Sequence, residues 1–218
     1  MRADSRIVPG LDLAEMKAAR FYALSWLMSQ VNSIGYVSGD CLDFGCGMSP
    51  LPSMLRPHVG QIYVLDRIVA SVDFQKQTCR AIDAVGVNFL IPDSLQLVTS
   101  VFSVQHNDMV DIGLIAQRIG RSLRDGGSWL YVGSYAKESR YQSIAERRDP
   151  QHVLSRKAVE TLIVEMSGCS VIDERYFSYQ HGTTNGQFCD ADSANAICLH
   201  LKKTMGVVEF VELEKGET

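Results

Sequence analysis

The stretch DCLDFGCG at residues 40–47 decides the fold. It begins as a short apolar run, and Gly45 and Gly47 follow directly. Glycines at the end of a strand allow a tight turn and a close approach of the backbone to a ligand. A helix that begins after such a turn presents free N–H groups to an anion. The stretch therefore predicts a strand, a ligand-binding loop and a helix, in that order.

Strands and helices are predicted to alternate along the rest of the chain. Seven strands are expected, at residues 40–44, 61–66, 87–91, 95–103, 128–132, 171–177 and 194–202, with helices at residues 51–56, 74–84, 109–123 and 155–166. This order predicts an α/β, Rossmann-like, doubly wound fold whose seven-stranded sheet is mostly parallel. The polar residues 178–193 join the last two strands in place of a helix, so the final strand can enter antiparallel.

The first residues predict a helix that precedes the sheet. Asp12 can cap this helix, Glu15 completes a capping box, and Gly35 ends the apolar run of helical spacing. We therefore divide the chain into an N-terminal helical extension, residues 1–35, and an α/β domain, residues 36–218. The extension is expected to pack as core or to form a lid over the site.

Composition limits the classes of partner. The chain has 46% hydrophobic and 21% charged residues and a formal net charge of -4, which disfavours nucleic acid as a substrate. The six cysteines and five histidines complete no zinc motif, so we expect no metal and free thiols. The polar N-terminus lacks the apolar core of a signal peptide, and no membrane span is indicated. We expect a cytoplasmic protein and leave a homodimer open.

Two carboxylates flank the glycine loop. Asp66 ends the second strand about 20 residues after the loop, where an acid can accept hydrogen bonds from ribose hydroxyls. A Gly-x-Gly loop alone also occurs in nicotinamide and flavin enzymes. However, Pro50 stands where the third glycine of a dinucleotide fingerprint would be. Asp43 is awkward beside a pyrophosphate but suits an aminoacyl ammonium group.

At these residues the sequence resembles the class I S-adenosylmethionine-dependent methyltransferase family. Four parts occur in the family's order: residues 42–47, Asp66, residues 97–106 and residues 125–127. The similarity spans residues 41–132. Two departures are Ser49 at the third glycine position and Leu95-Gln96 in place of a Phe-Asp pair.

The resemblance implies S-adenosylmethionine as the cofactor and gives roles to individual residues. Asp43 would hold the methionine amino group, and Asp66 would bind the ribose hydroxyls. The backbone of Gly45, Cys46 and Gly47 would line the methionine and ribose. Arg67 would lie beside the adenine, and Asp93 would accept from the adenine amino group.

Two histidines are candidates for the base that removes a proton from the methyl acceptor. His106 follows the fourth strand at the functional edge of the sheet, and imidazole is the group most often used for this task. His152 lies in Asp-Pro-Gln-His on a segment that can cover the site. Each has a structural alternative: His106 can cap the next helix, and His152 can orient the loop backbone.

The predicted function is methyl transfer to an oxygen or nitrogen of a small molecule or of a sugar or glycan precursor. The Asn/Asp-Pro-Pro-aromatic motif of exocyclic base methylation and the Pro-Cys nucleophile of pyrimidine C5 methylation are absent from the sequence. Two alternatives stay open: a cofactor-binding but catalytically inactive partner subunit, and a nicotinamide-dependent oxidoreductase.

Overall fold

The computed structural model describes residues 17–35, 38–83, 91–142, 151–166, 168–180 and 185–204. The helices in this part of the chain are α1 (Lys17–Ile34), α2 (Leu51–Leu55), α3 (Val69–Cys79), α4 (Met109–Ser122) and α5 (Arg156–Glu165). The strands are β1 (Asp40–Phe44), β2 (Ile62–Leu65), β3 (Ile82–Asp83), β4 (Leu95–Val101), β5 (Leu123–Ser134), β6 (Arg140–Gln142), β7 (Gln151–Val153), β8 (Cys169–Tyr179), β9 (Gly186–Phe188) and β10 (Ala196–Lys203).

Eight of these strands form one mixed sheet in the order β3-β2-β1-β4-β5-β10-β8-β9. The first five strands in this order are mutually parallel. β10 is antiparallel to both β5 and β8, and β9 is antiparallel to β8. The Rossmann-like architecture and the antiparallel entry of the final strand are therefore confirmed, whereas the prediction of seven strands was wrong.

The predicted and observed strands differ mainly at short strands. The third strand was predicted at residues 87–91. The described β3 comes earlier, because Arg80 takes a left-handed conformation (φ 57°) that ends α3, and Ile82 then pairs with Tyr63. Residues 84–90 lie outside the described residues. β9 falls in the segment that was predicted as a polar connection, and β6 pairs with β7 in a separate two-stranded sheet.

Both faces of the sheet are covered by helices, which explains the continuous apolar pattern of its central strands. In β5, Leu130 and Val132 belong to one buried cluster, which also contains apolar residues of α1, α2 and α3. Trp129 and Tyr131 point to the second cluster, formed with α4 and α5. Within the described residues, no helix has the length and hydropathy needed to cross a bilayer.

A polar network fastens α1 to the antiparallel half of the sheet. The side chains of Trp26 and Gln30 both donate to Oδ2 of Asp173 in β8, at 3.0 and 2.9 Å. Gln30 Oε1 lies 3.0 Å from Nδ1 of His200, whose Nε2 lies 2.9 Å from Oγ of Ser128. Because an amide oxygen only accepts, His200 carries its proton on Nδ1 and accepts at Nε2 from the serine hydroxyl. The extension helix is therefore tied to three strands.

We expect this network to make stability depend on pH. Burial lowers the pKa of His200, with Lys202 acting in the same direction and Asp173 opposing it. Since the pKa in the unfolded chain is about 6.5, the unfolded state binds the proton first as the pH falls. The contribution of His200 to stability is therefore full above about pH 6.5 and is lost as the pH falls through its folded-state pKa.

Urea unfolding at about pH 7.5 and about pH 5 checks this expectation in the natural protein and in His200→Gln, which keeps a donor and an acceptor. The free energy of unfolding should fall more between the two pH values in the natural protein than in the variant. An identical fall in both proteins would show that His200 does not titrate on unfolding.

Candidate functional site

The loop after β1 lies at the edge where the parallel strands β1, β2 and β4 all end. Gly45 (φ 71°) and Gly47 (φ 49°) both take the left-handed conformation that glycine tolerates. A Cβ on Gly45 would lie 2.1 Å from Cβ of Ser103, the second residue after β4, so a side chain cannot be accommodated there. Gly45 N donates to the carbonyl of Leu65 at the end of β2, at 2.7 Å. The loop is thus packed directly between the ends of two neighbouring strands.

Asp66 shapes this loop from the end of β2. Its Oδ2 accepts a hydrogen bond from Gly47 N and its Oδ1 accepts one from Ile68 N, both at 2.8 Å. Each carboxylate oxygen has a second lone pair, so the half-buried side chain can also accept from ligand hydroxyls. Sequence reasoning predicted the ligand role of Asp66 and missed its hydrogen bond to the loop.

A second clamp on the loop comes from α3. The side chain of Gln75 is buried, and its Nε2 donates to the carbonyls of Gly47 and Ser49, at 2.9 and 2.8 Å. The loop is therefore held on its N–H side by Asp66 and on its carbonyl side by Gln75. No local sequence pattern indicates this contact, because the partners are more than 20 residues apart.

Asp43 is a buried carboxyl group beside the loop, with 2% of its surface exposed. Its Oδ1 accepts from Oγ1 of Thr99, its partner residue in β4, at 2.7 Å. Its Oδ2 is buried and has no hydrogen-bond partner among the described residues. Burial raises the pKa of Asp43 to about 7; the Thr99 hydrogen bond opposes this shift, and the charge of Asp66 adds to it. A cation bound at Oδ2 would satisfy this oxygen and favour its charged form.

The segment after β4 forms the opposite wall. Phe102 adopts φ 51°, which is uncommon for a bulky residue and is a form of strain often found at functional sites. Ser103 Oγ donates to the carbonyl of Phe44 at 2.7 Å, which joins this segment to the end of β1. A 3₁₀ turn, Val104–His106, follows and places His106 at the cleft. The structure thus brings His106 beside the glycine loop, and its role as a base stays a prediction.

Buried amides hold this turn in place. Ser134 N, at the end of β5, donates to Oε1 of Gln105 at 2.7 Å, and Gln105 Nε2 donates to Oγ of Ser134 at 2.9 Å. Gln105 Nε2 also donates to Oε1 of Gln151 in β7. His106 therefore follows a residue that is fixed by two strands.

The walls enclose a cleft with two hollows that share Gly45, Asp66 and His106. The larger hollow, about 330 Å³, is lined by Phe44, Gly45, Leu65, Asp66, Arg67, Ser103, His106 and Asn107. The smaller, about 200 Å³, is lined by Arg20, Leu24, Asp43, Gly45, Cys46, Gly47, Ser49, Leu51, Asp66, Val101, Phe102 and His106. A cavity of about 680 Å³ between α4 and α5 is larger still, but none of the predicted site residues lines it.

Asp93 is not at this cleft, contrary to the prediction of an adenine contact. It precedes β4, whereas the cleft lies beyond the other end of that strand, about 20 Å away for seven residues. Its exposed carboxylate accepts from Nζ of Lys203 at 2.8 Å. The sequence placed Asp93 after the third strand, but β3 ends ten residues earlier, at Asp83. Asp83 lies at the carboxyl end of β3, beside β2, and its carboxylate is 3.9 Å from Nζ of Lys76.

The structure also shows the surroundings of His152 and Cys46, two further residues predicted for the site. His152 lies in β7 with its ring centroid 4.8 Å from that of Tyr141, and it lines neither hollow of the cleft. Burial raises the pKa of the Cys46 thiol, and the charges of Asp43 and Asp66 raise it further, so the thiol stays protonated and is a poor nucleophile. Within the described ranges, no group of three or more His, Cys, Asp or Glu residues is arranged to hold a metal ion.

The sequence matches no protein-family model and no curated protein. Solved structures nevertheless share its fold. An N1-methyltransferase from Burkholderia thailandensis, with bound 1,6-didemethyltoxoflavin and S-adenosylhomocysteine, is 14% identical with a TM-score of 0.64, over 90% of this chain and 83% of that one. An S-adenosylmethionine-dependent methyltransferase from Clostridium acetobutylicum is 12% identical with a TM-score of 0.61, over 88% of this chain and 92% of that one.

A third methyltransferase of this kind, from Methanosarcina mazei, is 12% identical with a TM-score of 0.62, over 81% of this chain and 97% of that one. At these identities the likeness concerns the fold. The sheet order, with the antiparallel strand β10 between β5 and β8, agrees with that likeness. The chain has the fold of class I S-adenosylmethionine-dependent methyltransferases.

Proposed function

We propose that this chain binds S-adenosylmethionine in the cleft at the end of β1 and transfers its methyl group to an oxygen or nitrogen atom of a small molecule. The observation that carries the proposal is the buried, unpartnered Oδ2 of Asp43 beside two left-handed glycines. A buried carboxylate of this kind is stabilised in its charged form by a cationic partner, and the ammonium group of an amino acid is one.

In this proposal, different residues of the cleft bind different parts of the cofactor. Asp43 holds the ammonium group of the methionine, and the backbone of Gly45, Cys46 and Gly47 lies along the methionine and the ribose. Asp66 accepts from the ribose hydroxyls. Arg67, which lines the larger hollow, lies beside the adenine. Asp83, at the end of β3, accepts a hydrogen bond from the adenine amino group, the role first expected of Asp93.

When bound, S-adenosylmethionine supplies a methyl group on a sulfonium, which is already activated for displacement. The chain's own task is therefore to orient the two reactants, to exclude water and to accept a proton. The side chains of Val101 and Phe102 give the smaller hollow an apolar wall. His106, which borders both hollows, is the group we assign to accept the proton from a hydroxyl or ammonium acceptor.

Two observations favour a small molecule as the methyl acceptor. The Burkholderia thailandensis enzyme, which shares the fold, is an N1-methyltransferase of 1,6-didemethyltoxoflavin. The net charge of -4 gives this chain no basic character for nucleic acid. We therefore propose a small molecule, sugar and glycan precursors included, and a cytoplasmic site of action.

Removing Asp66 should weaken the binding of S-adenosylhomocysteine by about 1–3 kcal/mol, because ribose hydroxyls lose their acceptor and the loop loses its tether. Calorimetric titration of Asp66→Ala measures this loss. Asp83→Ala should also weaken binding, and Asp93→Ala serves as the matched control with unchanged affinity. If Asp93→Ala weakens binding and Asp83→Ala does not, the placement of the adenine is wrong.

Ligand binding should depend on pH through Asp43. Its pKa is raised to about 7, so it must lose a proton to pair with an ammonium group. Affinity for S-adenosylhomocysteine should rise about tenfold per pH unit up to about pH 7 and then level off, because Asp43 is then ionised while the ligand's ammonium group keeps its proton. In Asp43→Asn the rise below pH 7 should disappear.

The unliganded protein provides a second test of Asp43. A carboxyl whose folded-state pKa exceeds its unfolded value stabilises the fold at low pH, and this contribution is lost as the pH rises through about 7. Relative to the natural protein, Asp43→Asn should therefore gain stability between about pH 5 and about pH 8, as measured by urea unfolding. An unchanged difference would mean that Asp43 is already ionised in the folded chain.

Turnover itself is tested by transfer of a labelled methyl group to a panel of metabolites. With an acceptor in hand, His106→Ala should lower kcat by about 10²–10⁴-fold with little change in cofactor affinity. His58→Ala, a half-buried histidine that lines neither hollow, is the control. Near-normal turnover in His106→Ala would return His106 to a structural role, and no transfer to any acceptor would favour an inactive partner subunit.

A further inference from the structure

The cavity between α4 and α5 has the shape of a wedge. The helices touch at their C-terminal ends, where a Cβ on Gly120 would lie 3.3 Å from Cα of Met166, the residue that follows α5. Beside this contact, Nε2 of Gln117 donates to Oε2 of Glu165. Two turns earlier on α4, a Cβ on Gly113 would meet no atom within 4 Å. The helices therefore diverge toward their N-terminal ends, and the wedge of about 680 Å³ lies between them.

The wide end of the wedge lies at the same edge of the sheet as the cleft. α4 follows the turn that carries His106, and the N–H of Leu154, just before α5, donates to the carbonyl of Ser134 at the end of β5, at 3.3 Å. Asn107 lines the larger hollow of the cleft, and Met109 lines the wedge. Since a chain spans at most about 3.6 Å per residue, the Cα atoms of His106 and Met109 lie within about 11 Å. The wedge thus adjoins the cleft.

The wedge presents an apolar surface that is partly open to solvent. Val110 is 76% exposed, Met109 44% and Leu114 42%. Among the described lining residues, the two charged ones lie at opposite ends: Lys157 in the first turn of α5, at the wide end, and Glu165 at the narrow end. The apolar residues between these ends are Met109, Val110, Ile112, Leu114, Leu154, Ala158 and Leu162. A ligand that suits this lining is apolar inside the wedge and polar where it leaves the wide end.

We infer that the wedge binds the apolar body of the methyl acceptor, so that the acceptor is an amphipathic molecule with an extended hydrocarbon part. This inference rests on the proposed function. The volume is that of an ordinary ligand pocket, and the wall from Met109 to Gln117 is about 12 Å long. The hydroxyl or amine of the acceptor leaves the wide end toward His106. In the transfer, this oxygen or nitrogen bonds to the methyl carbon, the carbon–sulfur bond breaks with its electron pair left on sulfur, and the acceptor proton passes to His106.

The test is calorimetric titration of the protein, saturated with S-adenosylhomocysteine, with the primary alcohols from butan-1-ol to octan-1-ol. Because each methylene leaves water when it enters the wedge, affinity should rise about fourfold per added methylene. Gly113→Leu puts a side chain into the open space of the wedge and should abolish this rise, with unchanged affinity for S-adenosylhomocysteine. Leucine is also the better helix former, so thermal unfolding should show a variant at least as stable as the natural protein.

Arg118→Leu is the matched control, because it adds the same side chain at an exposed position of α4 outside the wedge, and it should keep the rise. Nuclear Overhauser contacts between the C1 protons of octan-1-ol and bound S-adenosylhomocysteine should place the hydroxyl end at the cleft.

Three results would overturn the inference. The first is no rise with chain length in the natural protein, or the same rise in Gly113→Leu. The second is bound octan-1-ol without contacts to S-adenosylhomocysteine, which would make the wedge a separate site. The third is a dimer, seen by sedimentation, that Gly113→Leu dissociates, which would assign the wedge to a second copy of the chain. No binding of S-adenosylhomocysteine by the natural protein would instead contradict the proposed function.

Discussion

The close packing of Gly45 against Ser103 is the constraint on which the site depends. Because Gly45 has no side chain, the loop after β1 can turn directly against the segment that leaves β4. The contact lies at the edge where the parallel strands β1, β2 and β4 end, and Asp66 and Gln75 fix the loop there through Gly47. The backbone of the loop is therefore arranged for a ligand before the ligand is present, which lowers the cost of binding.

The charged residues of the cleft determine which ligand groups it favours. Asp43 is a buried residue of the smaller hollow with one oxygen unsatisfied, and such a group raises the free energy of the folded chain unless it is protonated or paired. The site thus stores an unfavourable interaction that a bound ammonium relieves. Arg20 of α1 also lines the smaller hollow, which therefore carries charges of both signs.

The sequence predicted those parts of the site that strands carry. Asp43 is one of the last two residues of β1, and Gly45, Asp66 and His106 follow the ends of neighbouring parallel strands, so the fold brings all four together. It placed Asp93 at the cleft, whereas Asp93 lines neither hollow, because β3 has only two residues and shows no periodicity. It could not predict β9, the amide pair Gln105–Gln151 or the place of Arg20, since these depend on contacts between distant segments with no local pattern.

The central claim is that the cleft binds S-adenosylmethionine through its amino-acid end and its ribose. The most direct measurement is calorimetric titration of the natural protein at about pH 7.5 with S-adenosylhomocysteine, with NADH as the control ligand, in two buffers of different ionisation enthalpy. The account predicts binding of the first ligand only, accompanied by release of part of a proton because Asp43 ionises on binding. Binding of NADH alone, or binding of neither ligand by folded protein, would contradict it.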